Sequence, residues 1–398
     1  MCGGLRGSWI IKPVSDSQSF ENLKIRGFRR LANIDFDLKG VNVLIGANGV
    51  GKSSFLDALA LLAEASNGNL EKTINRMSGL ASMITYDRAD SIDLSISKLV
   101  PGYEPLVYDL TLAPQANAYQ IARETLGQKN PIWPVPFLHI DSRGTNIKYF
   151  EIVKNNLVQP TWEHNPRETS LFQVPKMFHE PEKFRQKLSS STFYHVLNVD
   201  PRSPVRLPQA MRPAELPGKD GEDLVPCLYY LREAEPDRFE AIEDALKSAF
   251  PSFKRLDFPP VAAGTITMTW RDTAFSKPVY PHQFSEGMLR FLWLATLLQS
   301  PGLTAITLLD EPEVSLHPEL LSLLADLFRE ASRRTQLVIA THSDRLISFL
   351  NPDEIVVMDT TEDGTSTLTR ADQLDIDEWL KDYTLDELWR NGRLGARA

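Results

Sequence analysis

The sequence predicts an α/β fold: a mixed sheet, an antiparallel β layer beside it, and a mainly helical segment inserted between its two halves. Three observations carry this reading. A strand, a glycine-rich loop and an apolar helix follow one another over residues 41–65, and two later short apolar strands end in polar residues suited to phosphate. Runs of alternating apolar and polar residues supply the rest.

Taken in chain order, residues 22–28 and 34–38 alternate in the manner of half-buried strands, as do 91–99, 106–112, 117–122 and 147–153. Between them, Val41 to Ile45 is a β-branched and apolar run, followed by Gly46, Gly49 and Gly51 and then by a glycine-free apolar stretch from Ser54 to Ala65. The glycines permit backbone angles that a Cβ forbids, so successive N–H groups can turn inward around phosphate at the positive end of a helix. The expected ATP-binding residues of this loop are Gly46, Asn48, Gly49, Gly51, Lys52, Ser53 and Ser54. Lys52 is expected to bridge the β- and γ-phosphates, and Ser53 to place its hydroxyl on Mg²⁺.

Helices are expected around 180–198 and 222–249, flanking a stretch that carries Pro201, Pro204, Pro208, Pro213 and Pro217. That proline spacing forbids a continuous helix. Strands near 253–258 and 264–270 are expected to return the chain to the sheet. The F-S-E-G-M segment at 284–288 then opens a helix with Leu289, Phe291, Leu292, Leu294, Leu297 and Leu298 suited to burial.

Ala305 to Leu309 reads as a buried parallel strand that delivers Asp310 and Glu311 to its carboxyl end, where ligands of open α/β sheets sit. Asp310 is the natural Mg²⁺ partner, and Glu311 can polarise the water that attacks the γ-phosphate. An acidic helix cap is the alternative, but Ser315 and His317 stand closer to the helix expected from Pro318 and could cap it themselves. Gln336 to Ala340 is another such strand, ending in Thr341, His342 and Ser343, which puts His342 at the same rim for a hydrogen bond to the γ-phosphate. The expected catalytic residues are therefore Glu311, His342 and Lys52. Glu354 to Met358 reads as a further strand, with a hairpin turn at Asp363-Gly364. The acidic, aromatic tail, with Trp379, Leu380, Tyr383, Leu385, Leu388 and Trp389, reads as a helix docked on its own core or as a partner-docking segment.

The order G-A-N-G-V-G-K-S, F-S-E-G-M, L-L-D-E-P-E, A-T-H-S resembles the ABC-type ATPase heads of the RecF, SMC and OLD group. That resemblance implies that Ser285 and Gly287 contact the γ-phosphate held by a second protomer, so that ATP joins two heads. Glu286 replaces the first glycine of the signature, a departure common among RecF-like members. The chain is also similar to AAA_21- and AAA_15-type ATPases, whose first strand ends in a G-F-R or N-F-R element, here Gly27, Phe28 and Arg29. D-G-E-D-L at 220–224, F-P-S-F at 250–253 and L-D-E-L-W-R-N-G-R-L-G at 385–395 extend the likeness over most of residues 20–395. It implies a role in DNA repair or anti-phage defence, with a nuclease-type effector as partner, and places Phe28 and Arg29 near the base by analogy. Sustained heptads are absent, which excludes long coiled-coil arms.

Two cysteines, Cys2 and Cys227, in 398 residues argue for a reducing compartment and against a disulfide scaffold. No run approaches the roughly 18 apolar residues of a membrane span, so a cytoplasmic protein is expected. The net charge of −9 does not favour a duplex-binding surface, although DNA remains a candidate partner. The basic clusters Arg26/Arg29/Arg30, Lys183/Arg185/Lys187 and Arg202/Arg206/Arg212 read as solvated faces. The expected organisation is a leader (1–19), the first half of the head (20–160), a helical, proline-rich insertion (161–252), the second half (253–371) and the tail (372–398). A homodimer or higher homo-oligomer using ATP and Mg²⁺ follows from the resemblance.

Overall fold

The computed structural model describes residues 19–116, 118–129, 135–152, 154–303, 305–374 and 385–390. From the amino end, β1 (Phe20–Phe28) and β2 (Leu31–Asp37) pair antiparallel, β3 (Val41–Ile45) leads into α1 (Lys52–Ser66), and α2 (Leu70–Arg76) follows. A meander comes next: β4 (Ile92–Val100), β5 (Tyr103–Gln115), β6 (Ala118–Gln128), β7 (Phe137–Arg143), β8 (Asn146–Glu151) and β9 (Asn156–Val158). The mainly helical segment holds α3 (Ser170–Gln173), α4 (His179–Ser189), β10 (Thr192–Tyr194), β11 (Gln209–Ala210), α5 (Leu224–Ala234) and α6 (Pro236–Ala249). The chain then forms β12 (Phe253–Asp257), β13 (Thr265–Ile266), β14 (Thr269–Asp272), α7 (Glu286–Gln299), β15 (Ile306–Asp310) and α8 (Leu320–Ala331). It ends with β16 (Gln336–Ala340), α9 (Asp344–Ile347), β17 (Ile355–Thr360), β18 (Ser366–Arg370) and α10 (Leu385–Arg390).

Two large sheets result. One is antiparallel, ordered β2-β1-β4-β5-β6-β7-β8-β9; the other runs β10-β15-β16-β3-β17-β18, parallel from β10 to β17, with β18 antiparallel at the edge. Alternation along β3 explains how they stack. Leu44 joins Leu308, Val338 and Val356 on the face that packs on α1, and α1 in turn packs on Leu23, Ile25, Ile96 and Leu110 of the antiparallel sheet. Val43 and Ile45 look the other way, into a core with Leu309, Leu337 and Ile339 and with α7 and α8. Both faces of the parallel sheet are covered, as its nearly unbroken apolar strands require.

Three expectations need correcting. The helix around 180–198 stops at Ser189, and residues Thr192 to Tyr194 become β10, the edge strand beside β15. The strands expected at 253–258 and 264–270 join neither large sheet: β12 pairs with β14, and β13 with β11, in two small ribbons. Phe253 and Trp270 hold the first ribbon together with ring centroids 4.4 Å apart, both buried against the α7 core. Ser315 and His317 do not provide a side-chain cap for α8; the Ser315 hydroxyl accepts from Arg290 Nη1 instead (2.8 Å). The antiparallel layer also contains β7 and β9, which alternation alone did not reveal. Pro201 to Pro217 does lack a continuous helix, and the β17–β18 hairpin turns at Asp363-Gly364, Gly364 having φ 81°.

The basic clusters are largely satisfied within the chain. Arg29 pairs with Asp57, Arg185 with Glu182 and Arg212 with Asp223, while Arg206 donates to the carbonyls of Val199, Pro281 and Phe284. Leu388 and Trp389 of α10 are buried in the core shared with α7 and α8, so this part of the tail is docked on its own chain. Residues 1–18 of the expected leader, and Trp379, Leu380 and Tyr383 of the tail, lie outside the described residues.

Candidate functional site

The carboxyl ends of β3, β15 and β16 lie side by side, because Leu309 pairs with Ile339 and Ile339 with Val43 in parallel register. The loops that leave these strands therefore meet at one rim. After β3, the chain turns through Gly46, where a Cβ would stand 2.4 Å from the carbonyl oxygen of Met358, so only glycine fits. At Gly49, φ is 79° and nothing lies within 4 Å of the place a Cβ would occupy, which leaves the tip open to an incoming group. The β18 edge braces the loop from behind: Ser366 Oγ donates to the carbonyl of Val50 (2.5 Å), and the Ser366 N–H to that of Arg30 (2.9 Å). Asn48, Gly49 and Ser53 are exposed, and Ser54 is half-buried beside Arg29 Nη1 at 3.4 Å. Arg29, itself at φ 49°, is held there by Asp57 at 2.6 Å, next to the first turn of α1.

Lys52 opens α1 and is 5% exposed. Its ammonium donates to the carbonyls of Gly46 (2.6 Å) and Ala47 (3.1 Å) and stands 3.3 Å from His342 Nδ1. Burial lowers its pKa to about 8, against the opposing pull of Glu311, Asp310 and Glu313. An ammonium can only donate, so Nδ1 of His342 accepts and the proton of the neutral imidazole sits on Nε2. Burial and the Lys52 charge both lower the His342 pKa, in keeping with the neutral form. His342 Nε2 in turn faces Glu311 Oε1 at 3.7 Å.

Glu311 adopts the left-handed conformation, φ 49°, while its N–H donates to Ala340 O at 2.9 Å. A residue with a Cβ is strained there, and such strain gathers at working sites. Asp310, half-buried at the end of β15, has His195 Nδ1 3.8 Å from its Oδ2. His195 was not singled out in the sequence, because the strand that delivers it was read as helix. Glu313 was also passed over, although it lies inside the L-D-E-P-E segment. Its Oε1 accepts from Thr341 Oγ1 (2.5 Å) and the His342 N–H (3.3 Å), which fixes the loop that presents His342. Burial raises its carboxyl pKa, and Oε2 has no hydrogen-bond partner.

Lys52, His342, Glu311 and Asp310 thus converge, and Ser53 lies next to Lys52 at the start of α1. Ser285 and Gly287 stand at the start of α7. Ser285 is exposed at the start of α7, where its hydroxyl accepts from the Met288 N–H (3.3 Å), and a Cβ on Gly287 would stand 3.0 Å from Ser315 O. A buried ammonium that meets only carbonyls and an imidazole suits an added anion, and the Gly46–Gly49 cradle leaves space for one. The donor set also fits Mg²⁺, through the Ser53 hydroxyl and the Asp310 carboxylate. Among the described residues no group of three or more His, Cys, Asp or Glu is gathered to hold a metal, so phosphate oxygens would complete the coordination. No helix among the described residues is long and apolar enough to cross a membrane.

Residues 41–348 match the family described as "AAA domain, putative AbiEii toxin, Type IV TA system". Among curated proteins, the chain is similar to the DNA replication and repair protein RecF of Paenarthrobacter aurescens (strain TC1), 31% identical over 113 residues, 28% of this chain. RecF of Arthrobacter sp. (strain FB24) matches at 30% over the same length. In each case the chain spans only 25% of the relative. Among solved structures, an Smc head bound to the C-winged helix domain of ScpA aligns with TM-score 0.54 at 15% identity, covering 88% of this chain and 97% of that one. An Smc head with an extended coiled coil, bound to the C-terminal domain of ScpA derived from Pyrococcus furiosus, aligns with TM-score 0.53 at 13% identity, covering 92% and 100%. These structural likenesses concern the fold, and the family match spans most of the chain. The protein belongs to this AAA domain family and has the RecF/SMC-like, ABC-type ATPase fold.

Proposed function

We propose that the protein is an ATP-binding and hydrolysing switch that dimerises around ATP and Mg²⁺ and controls a DNA-directed effector, as the cytoplasmic ATPase subunit of an anti-phage defence system with a nuclease partner. The observation that carries the ATPase reading is the line from Lys52 through His342 to Glu311, at 3.3 and 3.7 Å, on adjoining strand ends. Lys52 neutralises phosphate charge, the Nε2–H of His342 donates to a γ-phosphate oxygen, and Glu311 takes a proton from water as the water oxygen bonds to phosphorus. The bond to the β–γ bridging oxygen breaks, giving ADP and phosphate. The cation, when bound by Ser53 and Asp310, supplies neutralisation of the developing charge. Ser285 and Gly287 of one protomer complete the pocket of the other.

The family description, which names a toxin of a toxin–antitoxin system, supports a controlling role in defence. The RecF likeness favours a second reading, a DNA repair ATPase. ATP turnover of the purified protein and of Lys52→Ala, with and without duplex DNA across a salt series, separates the outcomes. Stimulation by DNA that falls steeply with salt identifies DNA as the direct trigger. Lys52-dependent turnover indifferent to DNA identifies a protein trigger, and turnover that survives Lys52→Ala overturns the assignment of the pocket.

The Lys52 assignment predicts a pH dependence. Bound phosphate favours the ammonium, so the Lys52 pKa rises from about 8 on ATP binding. ATP affinity should be flat below pH 8 and should weaken above it, by up to about tenfold per pH unit, with net proton uptake on binding. Calorimetric titrations in buffers of different ionisation enthalpy measure both. An affinity unchanged between pH 7 and 9.5, with no proton uptake, would place Lys52 away from the phosphates.

A further inference from the structure

We infer that a hollow at the amino end of the parallel sheet is a second anion site, separate from the nucleotide pocket, and that it takes a small ligand bearing two or three linked phosphates. β3, β15 and β16 start side by side, with Ile306 opposite Gln336 and Leu337 opposite Val41. Lys39 and Gly40 lead into β3, Ala305 leads into β15, and Arg334 and Thr335 lead into β16. With Lys187 of α4 they line a hollow of about 320 Å³, at the lower end of the range for small-molecule sites. Each of the three strands is five residues long, so about 16 Å of sheet separates the hollow from the rim where Lys52, Glu311 and His342 meet.

The charge around the hollow is one-sided. Lys39, Lys187 and Arg334 line it, and among the described residues no carboxylate does. Lys39 reaches Asp372 at 2.8 Å, but the other two cations sit where their charge is disfavoured. Burial lowers the Arg334 pKa to about 10, with a further push from Arg238. Its Nη2 donates to Leu298 O, while its Nε is buried and has no hydrogen-bond partner among the described residues. Burial likewise lowers the Lys187 pKa, and Lys98 repels it. A buried donor left unpaired costs more than a bond to it gains, and an anionic oxygen supplies the partner and the counter-charge together.

The walls decide the kind of anion. They are fixed in advance: the Gln336 side-chain amide accepts from the Phe20 N–H and donates to the Phe20 carbonyl, both at 2.8 Å, and Thr335 Oγ1 donates to Ala305 O at 2.9 Å. Among the described residues no aromatic side chain lines the hollow, so it offers no platform on which a base could stack. Nucleic acid spreads one charge per phosphate along a backbone, whereas three cations around one hollow suit charge concentrated in a single linked phosphate group.

The test is calorimetric titration of the whole protein with inorganic triphosphate, in a Lys52→Ala background so that the phosphate loop contributes little. One site per chain is expected, with an affinity that falls as salt rises. Lys187→Ala should weaken binding about tenfold, the loss of one hydrogen bond between charged groups. Gly40→Asp should weaken it at least as much, because a Cβ there meets nothing closer than Ser332 Cβ at 3.5 Å and the hollow gains a negative charge. Lys183→Ala removes an exposed lysine of the same helix, paired with Glu180, and should leave the affinity within about twofold. A parallel titration with a nucleoside triphosphate distinguishes a nucleotide from the free anion as the carrier of the phosphates, and loss of either ligand in Lys187→Ala and Gly40→Asp supports the site. Where one of these variants fails to fold, the other decides. Absence of binding, or binding left unchanged by a folded Lys187→Ala or Gly40→Asp chain, overturns the inference. Duplex DNA that binds more tightly than triphosphate and is lost in the same two variants overturns it too, and assigns the surface to nucleic acid.

Discussion

Replacing Glu311 by glutamine is expected to slow ATP turnover by roughly 10² to 10⁴ while leaving ATP affinity within about threefold. Glutamine keeps the size of the side chain and its hydrogen-bonding reach but cannot accept the proton of the attacking water. The backbone supports this choice of residue. Glu311 is held at φ 49° by its N–H bond to Ala340 O, and its carboxylate points toward His342 rather than back into a helix. A left-handed residue with a Cβ costs about 1–2 kcal/mol, a cost without structural return where the side chain stabilises nothing else. Glu311→Gly relieves that strain and roughly offsets the greater freedom of glycine in the unfolded chain, so its thermal midpoint should stay within a few degrees of wild type. Its turnover should fall as far as that of Glu311→Gln. Single-turnover kinetics and equilibrium ATP binding on both variants decide the matter, and undiminished turnover in either would remove Glu311 from the role of base.

Much of this site was legible in the sequence because its residues sit at strand ends whose burial forces a readable pattern. Val41 to Ile45, Ile306 to Leu309 and Gln336 to Ala340 are covered on both faces, so each is a short, mainly apolar run with a single polar residue, Asn42, Thr307 or Gln336. The polar residues that follow were then conspicuous. β10 escaped the same logic because Thr192 to Tyr194 is a three-residue edge strand. It is fixed by pairing with β15 from a distance of more than a hundred residues, and it follows α4 too closely for any local window to separate them. His195 was hidden with it. Glu313 was in plain view but gave no local sign of its role, which depends on the Thr341–His342 loop folding back over it. The ribbons β12–β14 and β11–β13 show the opposite failure. Residues 253–258 and 264–270 were read as strand, but such a pattern names no partner: the second stretch divides between β13 and β14, β13 pairs with β11, which was not read as strand, and aromatic packing beneath α7 holds β12 with β14 outside both large sheets.

Ser285→Arg is expected to abolish ATP-dependent dimerisation and to lower turnover by about 10² or more, while ATP binding by the monomer survives. Within one chain Ser285 is exposed and caps α7 through the Met288 N–H, so an arginine there costs about 1 kcal/mol of helix capping. In the proposed dimer its bulk and charge would meet the second protomer. Light scattering with Glu311→Gln as the parent, so that ATP persists, measures the dimer directly. Mixing supplies the sharper test. A Ser285→Arg chain keeps its own phosphate loop, and a Lys52→Ala chain keeps its own signature segment, so a mixed pair contains one pocket with both parts intact and one with both broken. Were pairing unaffected by either substitution, equal amounts would make half the dimers mixed, each with one working pocket of two, so about a quarter of wild-type turnover is the ceiling for restoration from two inactive proteins. A pocket completed within one chain predicts no restoration at all, and that result, with Ser285→Arg still active alone, would sink the shared-site mechanism while leaving the assignments of Lys52 and Glu311 standing.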